Sequence, residues 1–373
     1  MEKRKSERIV SLDALRGFDM FFIMGSPIFF KGLAKVMDCE PFIWWYEQMQ
    51  HCIWDGVKIM DIVFPLFLFI AGISFPLSYK KRQLSPSYNR KEIYIHIIKR
   101  MSLLVILGFL YNGFLSELNF AEARYCSVLG RIGIAWGLAA FVFINTTSKQ
   151  RLLFIITILL GYWFLFLIFK APDAPLEAAR YSPEGNIAGY VDRILLPGKL
   201  YKSGLYEAEG ILSTLPAICT ALIGMFVGEF MQQTKYSNNQ KVCYLLGIGT
   251  LLVFVGWIWS FTLPLNKTLW SSSFVLYVGG ISIILFSIFY WIFDVKHKLK
   301  KLSTFFCVIG VNSIFIYLIQ KIINFNDVSY FFIKGICNLL PQDWCLVILG
   351  ITRVSICWLL LYYMYKKKIF FKI

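Results

Sequence analysis

Three observations predict an all-α, polytopic integral membrane protein. The chain is 58% hydrophobic and only 16% charged. It contains about ten apolar runs of about 20 residues, the length that crosses about 30 Å of hydrocarbon at 1.5 Å per helical residue. Its basic residues gather at alternate run ends. A soluble domain carries about 25% charged and 45–50% apolar residues. The composition therefore excludes an ordinary cytosolic enzyme, a disordered chain and a nucleic-acid-binding domain.

The runs fall at about 17–36, 57–79, 93–115, 126–146, 151–170, 211–232, 242–263, 273–293, 304–324 and 344–365. The first is the weakest, because it holds Asp19, Lys31 and Lys35. No small-residue cleavage site follows it, so it is expected to be a span and not a cleaved signal peptide. A piece near 328–340 is too short to span and is expected at an interface. Ten spans put both termini on one side. The N-terminus, the loops near 80–100, 149–151, 235–241 and 296–301 and the C-terminal tail hold 24 of the 38 Lys and Arg residues. By the positive-inside rule these segments, and both termini, are cytoplasmic. The net charge of +16 is thus expected to report topology and gives no support for nucleic-acid binding. Residues 1–373 read as one transmembrane unit, with an aromatic and acidic outward loop at 37–56 and a long outward loop at about 170–210. Nine cysteines show no C-x-x-C pair and no Cys/His cluster, so packing thiols are expected rather than disulfides or a metal site.

Ionisable residues in apolar surroundings mark the candidate chemistry. His51 precedes Trp54-Asp55-Gly56, and Asp61 follows ten residues later at the start of the second run. Such a pair suits general-base or nucleophilic acyl chemistry, with the carboxylate fixing the imidazole tautomer. An interfacial histidine beside a helix-capping aspartate is the structural alternative. His96 reads as interfacial and His297, among four lysines, as a loop residue. Asp13 and Arg16 are spaced to pair on one helical face. Arg124 and Arg131 share a face of the fourth run, and Arg131 needs a carboxylate or a ligand anion. Arg353 is similar in the last run. Asn312 and Gln320, eight apart in the ninth run, either bridge helices or line a cavity. Glu207 and Glu209, with Ser213 and Thr214, precede the sixth run and either cap a helix or bind a polar ligand. Asn266, Lys267 and Trp270 combine the amide, cationic and aromatic groups that a sugar site needs, although interfacial tryptophan is expected on packing grounds alone.

Taken together, SLDALRG, His51-x-x-Trp54-x-Gly56 with Asp61 and FPLFLFIAG, VLGRIG, AGYVDR, EGILSTL, NKTLWS, GVNSIFIY and the tail KKKIFFKI run in order almost from end to end. This collinear set resembles the transmembrane heparan-α-glucosaminide N-acetyltransferase family. The resemblance implies transfer of acetyl from cytosolic acetyl-CoA to the amine of a terminal glucosamine across the membrane. It implies His51 as the catalytic residue, supported by Asp61, with no metal. Trp54, Asp55, Asn186, Asp192, Arg193, Glu209, Asn266, Lys267 and Trp270 are then expected on the sugar side. Arg124, Arg131, Asn312 and Gln320 are expected on the acetyl-CoA side. It further implies a homodimer embedded in a lipid bilayer, here the plasma (inner) membrane of a bacterial-type cell. The chain is expected to correspond to the catalytic membrane domain, without the lumenal domain and extra span of the lysosomal relatives.

Two departures matter. The family's WNG is WDG here, with Asp55 for asparagine. The family's asparagine late in the first span is missing from IMGSPIFF, so another group must take its place. Two rival readings remain. One is an integral-membrane O-acyltransferase, whose motif histidine usually sits in the first span, where this chain has none. The other is a sugar or lipid transporter, for which no internal repeat speaks.

Overall fold

The computed structural model describes residues 9–85, 88–114, 118–201 and 204–371. Among them are fifteen α-helices and no strand. In chain order these are α1 (Val10–Met24), α2 (Ser26–Met37), α3 (Glu40–Gln48), α4 (Ile59–Gln83), α5 (Arg90–Tyr111), α6 (Val128–Asn145), α7 (Ser148–Ile168), α8 (Ile187–Leu195), α9 (Ile211–Met231), α10 (Asn238–Trp259), α11 (Ser272–Tyr290), α12 (Lys300–Gly310), α13 (Ser313–Ile322), α14 (Phe325–Cys337) and α15 (Gln342–Lys366). A π-helical turn at Trp291–Val295 extends α11.

Among the described residues, eight helices are long and apolar enough to cross a membrane singly, and two bent pairs, each counted as one span, bring the number to ten. The first expected span is the pair α1–α2, bent by 56° at Gly25. Pro27 cannot donate a backbone hydrogen bond into the preceding turn, and the Ser26 hydroxyl donates to Phe21 O instead. The ninth is the pair α12–α13, bent by 58° around Asn312. The piece expected near 328–340 is α14, which runs back along the first half of α15. Arg353 of α15 donates to Asn326 there. The two outward loops contain α3 and α8.

The start of α1 and the end of α15 lie at one end of the bundle, because α15 runs antiparallel to α2, with Gly32 against Val347 and Gly25 against Val354. The Val10 and Ser11 amides donate to Asp294 at the end of α11, and Asn312 donates to Ile369 O in the tail. The N-terminus of α4 lies at the opposite end.

One expectation fails outright. Cys337 and Cys345 form a disulfide. The short turn between α14 and α15 folds the end of one helix over the start of the next and brings these Cα atoms within 5.0 Å. That geometry is set by the turn and has no sequence signature. The other seven cysteines are free.

Central and peripheral helices differ sharply. The apolar stretches of α4 and α9 are 72% buried, against 22% for α5, α10 and α15. Between helices in lipid there is little hydrophobic driving force, so close contact relies on small residues. Gly224 and Gly228 of α9 form a G-x-x-x-G face, and Gly72 of α4 packs against it. A Cβ at Gly72 would fall on the backbone carbonyl of Ala221.

Gly72→Leu should therefore force α4 off α9, at a cost of about 1–3 kcal/mol or more. Thermal melting of the solubilised protein checks this. Gly161→Leu on α7, where a Cβ meets nothing within 4 Å, should leave the melt unchanged.

Candidate active site

Asp61 sits in the first turn of α4, where it caps the helix. Its Oδ2 accepts from the backbone amides of Lys58 (3.2 Å) and Cys52 (3.0 Å). Its Oδ1 lies 2.8 Å from His51 Nδ1 and 3.4 Å from Lys267 Nζ. The carboxylate is 1% exposed, whereas the His51 side chain is 58% exposed. An ionised carboxylate only accepts, so Nδ1 carries the proton and Nε2 is left as the reactive nitrogen. Lys267 Nζ is also 3.2 Å from Nδ1, and the two donors share Oδ1. Burial pushes the Lys267 ammonium below its usual range, against the pull of Asp61.

Two loops converge to make this arrangement. The Gly56 amide donates to Leu265 O, which ties the 51–58 loop to the 260–271 loop. Gly56 has a φ of 110°, where a side chain would be strained. In the second loop, the Asn266 side chain accepts from Leu269 N at 2.8 Å and closes a tight turn. That turn presents Lys267 on one side and Trp270 on the other. Trp270 is fully buried and holds a left-handed φ of 50°, a strained state for a bulky residue. Its indole donates to Thr220 Oγ1, and the Arg131 guanidinium lies 5.2 Å from its ring.

These groups line one cavity of about 390 Å³. Trp54, Tyr201, Tyr206, Trp270 and Tyr317 give it aromatic walls, with Phe64 and Phe67 further along α4. Arg124 and Glu209 form a second charged wall. Arg124 pairs with Glu207 and Glu209 and lies 4.7 Å from the Tyr201 ring. Burial raises the Glu209 carboxyl, and Arg124 opposes that rise.

Of the residues expected on the sugar side, Trp54, Glu209, Lys267 and Trp270 line the cavity with His51 and Asp61. Asp55 is exposed, and its carbonyl accepts from Cys52 Sγ. Asn186 is buried and caps α8 through Gly189 N. Asp192 caps α9 by accepting from Ile211 N at 2.9 Å. Arg193 pairs with Asp173 at 2.6 Å. These three organise the outward segment that carries Tyr201 and Tyr206. Asn266 positions Lys267 from behind.

Of the residues expected on the donor side, Arg124 lines this cavity and Arg131 lies beneath Trp270, bonded to Gly210 O and Ser213. Asn312 and Gln320 are not brought together. Asn312 binds the C-terminal tail, and Gln320 accepts from Arg353. Sequence reasoning missed Asp19, Tyr201, Tyr206 and Tyr317 as wall residues. Asp19 carried a usable signal, a carboxylate in mid-span.

A second cavity of about 210 Å³ lies toward the termini, between α4, α5 and α6. Ser74, Ser78, Arg82, His96, Arg100 and Trp136 line it. Arg16, paired with Asp13 as its spacing predicts, donates to Ser74 Oγ.

A carboxylate-oriented histidine at the mouth of an aromatic cavity, inside a polytopic bundle, has the parts of a membrane-embedded group-transfer site. Residues 8–118 match a domain of unknown function, DUF5009. The heparan-alpha-glucosaminide N-acetyltransferase of Mus musculus is 26% identical over 410 residues, covering 92% of this chain and 60% of the mouse protein. The Homo sapiens enzyme of that name is 26% identical over 391 residues, covering 88% of this chain and 56% of the human protein. The chain thus spans about 60% of the length of these relatives. It is a distant relative of these N-acetyltransferases, in line with its collinear motifs.

Burial raises the Asp192 carboxyl to about 6, against the hydrogen bond from Ile211 and the charge of Arg131. The folded group holds its proton up to about pH 6, the unfolded one only to about pH 4. Stability present below pH 4 is therefore lost as the pH rises through 6. Asp192→Asn keeps an oxygen for Ile211 and cannot ionise. Its melting temperature should gain on wild type between pH 4 and 7, by on the order of 2 kcal/mol in stability.

Proposed function

We propose that the protein is a transmembrane N-acetyltransferase that moves acetyl from acetyl-CoA on the terminal side to the amine of an amino sugar on the opposite side. The observation that carries this reading is the His51–Asp61 pair at the mouth of the aromatic cavity, with Lys267 Nζ 3.4 Å from the same carboxylate. The distant relatives are named for this activity. The terminal side is read as cytosolic because basic residues concentrate there. The disulfide lies at the other end, which suits an oxidising compartment such as the outside of a bacterial-type inner membrane.

The donor is a polyanion and cannot cross hydrocarbon. The second cavity offers it Arg82, His96 and Arg100 with two serine hydroxyls and no acidic residue among its lining. From Ser74 to Asp61 is 13 helical residues, about 20 Å. The thioester-bearing arm of coenzyme A is suited to bridge such a gap while its phosphates stay behind.

In the direct route, the amine gives up a proton to His51 Nε2 and attacks the thioester carbonyl. The C–N bond forms and the C–S bond breaks. Coenzyme A leaves as thiolate and takes the proton from the imidazolium, which Asp61 stabilises. In the two-step route, Nε2 attacks the thioester, the C–S bond breaks and coenzyme A leaves as thiolate. The amine then attacks the acetyl-imidazolium, the bond to Nε2 breaks, and the proton the amine loses balances the one the thiolate takes up. Lys267 is placed to stabilise the developing oxyanion in either route.

Incubation of purified protein with acetyl-CoA and a panel of amino sugars, read by mass, should give free coenzyme A and an amide product. An ester product would support the O-acyltransferase reading, and no consumption of acetyl-CoA would support a transporter. His51→Ala should lower transfer by about 10²-fold or more without loss of fold. Asp61→Asn should also lower it. Acetyl label on His51 before sugar is added marks the two-step route, and its absence the direct one.

Arg100→Gln should raise the KM for acetyl-CoA by about tenfold and leave that for the sugar unchanged, as loss of one charged hydrogen bond to phosphate requires. Steady-state kinetics checks this.

A further inference from the structure

The charges in the wall of the larger cavity nearly all find each other. Asp61 is met by His51 and Lys267, and Glu209 by Arg124. Asp19 of α1 is the exception. It lines the same cavity and is 1% exposed, and neither carboxyl oxygen has a hydrogen-bond partner among the described residues. Arg16, three residues earlier on α1, turns away to Asp13 and Ser74. Around Asp19 the lining is apolar, with Met20, Ile23, Phe67 and Ile314. A carboxylate held out of water with no partner is costly unless something with a complementary charge arrives.

We propose that Asp19 is a substrate-binding residue that receives the ammonium group of the acceptor and makes the cavity selective for cationic over neutral sugars. This rests on the reading that the cavity takes an amino sugar, and it names the group that selects the amine. Asp19 is the acidic residue of this lining that no basic side chain is shown to meet, and an amino sugar brings a cation. The aromatic walls suit the apolar faces of a sugar ring and also attract a cation. Asp19 lies one helical turn from Arg16, which reaches Ser74 of the second cavity, so an ammonium held there is on the side from which the donor arm comes. Acetylation turns the ammonium into a neutral amide and removes what Asp19 holds, which favours release of product over retention. The ammonium loses one proton to solvent before the C–N bond forms, and His51 takes the second as it forms and passes it to the coenzyme A thiolate.

The test is direct binding without donor, using the full chain in detergent or nanodiscs and titration calorimetry. The probes are glucosamine, glucose and N-acetylglucosamine at slightly acid pH. Wild type should bind glucosamine about tenfold or more tightly than either neutral sugar, as a charged hydrogen bond predicts. Asp19→Asn should bind all three alike, and Asp19→Glu should keep part of the preference. Wild type without amine preference, or a folded Asp19→Asn variant that keeps it, overturns the assignment. Acetyl transfer to glucosamine on the same wild-type preparation tests the transferase reading separately. Transfer without amine preference rejects the Asp19 assignment alone. Amine preference that depends on Asp19, without transfer, rejects the transferase reading and leaves Asp19 as a cation receptor.

Discussion

The Asp61 carboxylate is the constraint on which the site depends. A buried carboxylate must be surrounded by donors, and Asp61 gathers four: two backbone amides, an imidazole and an ammonium. Each comes with a structural consequence. The Lys58 amide starts α4, and the Cys52 amide folds the preceding loop back over the helix end. The imidazole is then fixed in one tautomer at the cavity mouth. The ammonium ties in the 260–271 loop from more than 200 residues away. One side chain thus couples the start of the central helix to both loops that carry chemistry. The helix-capping reading of Asp61 holds, and the same carboxylate orients His51.

The outward segment between α7 and α9 follows a related logic at larger scale. It has little hydrophobic core of its own, and charged and amide groups hold it. Asn186 starts α8, Arg193 closes onto Asp173, Asp192 starts α9, and Arg124 clamps Glu207 and Glu209. The net effect is to place Tyr201 and Tyr206 opposite Trp54. Residues that look like sugar ligands by type therefore build the wall, and aromatic residues that look unremarkable face the cavity.

The bundle and the centre of the site were legible in the sequence because both rest on local cost. An ionisable residue in an apolar run is conspicuous, and His51, Asp61 and Arg131 were found that way. Lys267 and Trp270 shared a short motif whose turn, closed by Asn266, is local too. What was not legible depends on long-range pairing or on helix breaks. Arg124 meets Glu207 and Glu209 more than 80 residues away, so its acidic partners could not be told from a ligand anion. Asn312 and Gln320 align only if the ninth run is one straight helix. The break at Asn312 turns its amide to the chain end and leaves Gln320 to Arg353. The bend at Gly25, before Pro27, likewise reset the first span to begin at Val10. Asp19 was read as a defect in that span, because sequence gives its cost and not the cavity it lines.

The two cavities share α4, and this fixes what lies between them. Asp61, Phe64 and Phe67 line the first, and Ser74, Ser78 and Arg82 line the second. The intervening two turns, Leu68 to Ile73, are almost fully buried against α9 and contain Gly72 at the closest approach. Tight packing there gives α4 a rigid central segment with polar chemistry at both ends. On α1, Arg16 reaches Ser74 of the second cavity and Asp19 lines the first, one helical turn apart. Opposite charges are thereby sorted toward different cavities. In the proposed function, an anionic donor from the terminal end meets arginine and a cationic acceptor from the far end meets aspartate. That arrangement fits group transfer between the two cavities better than passage of either reactant through the bundle.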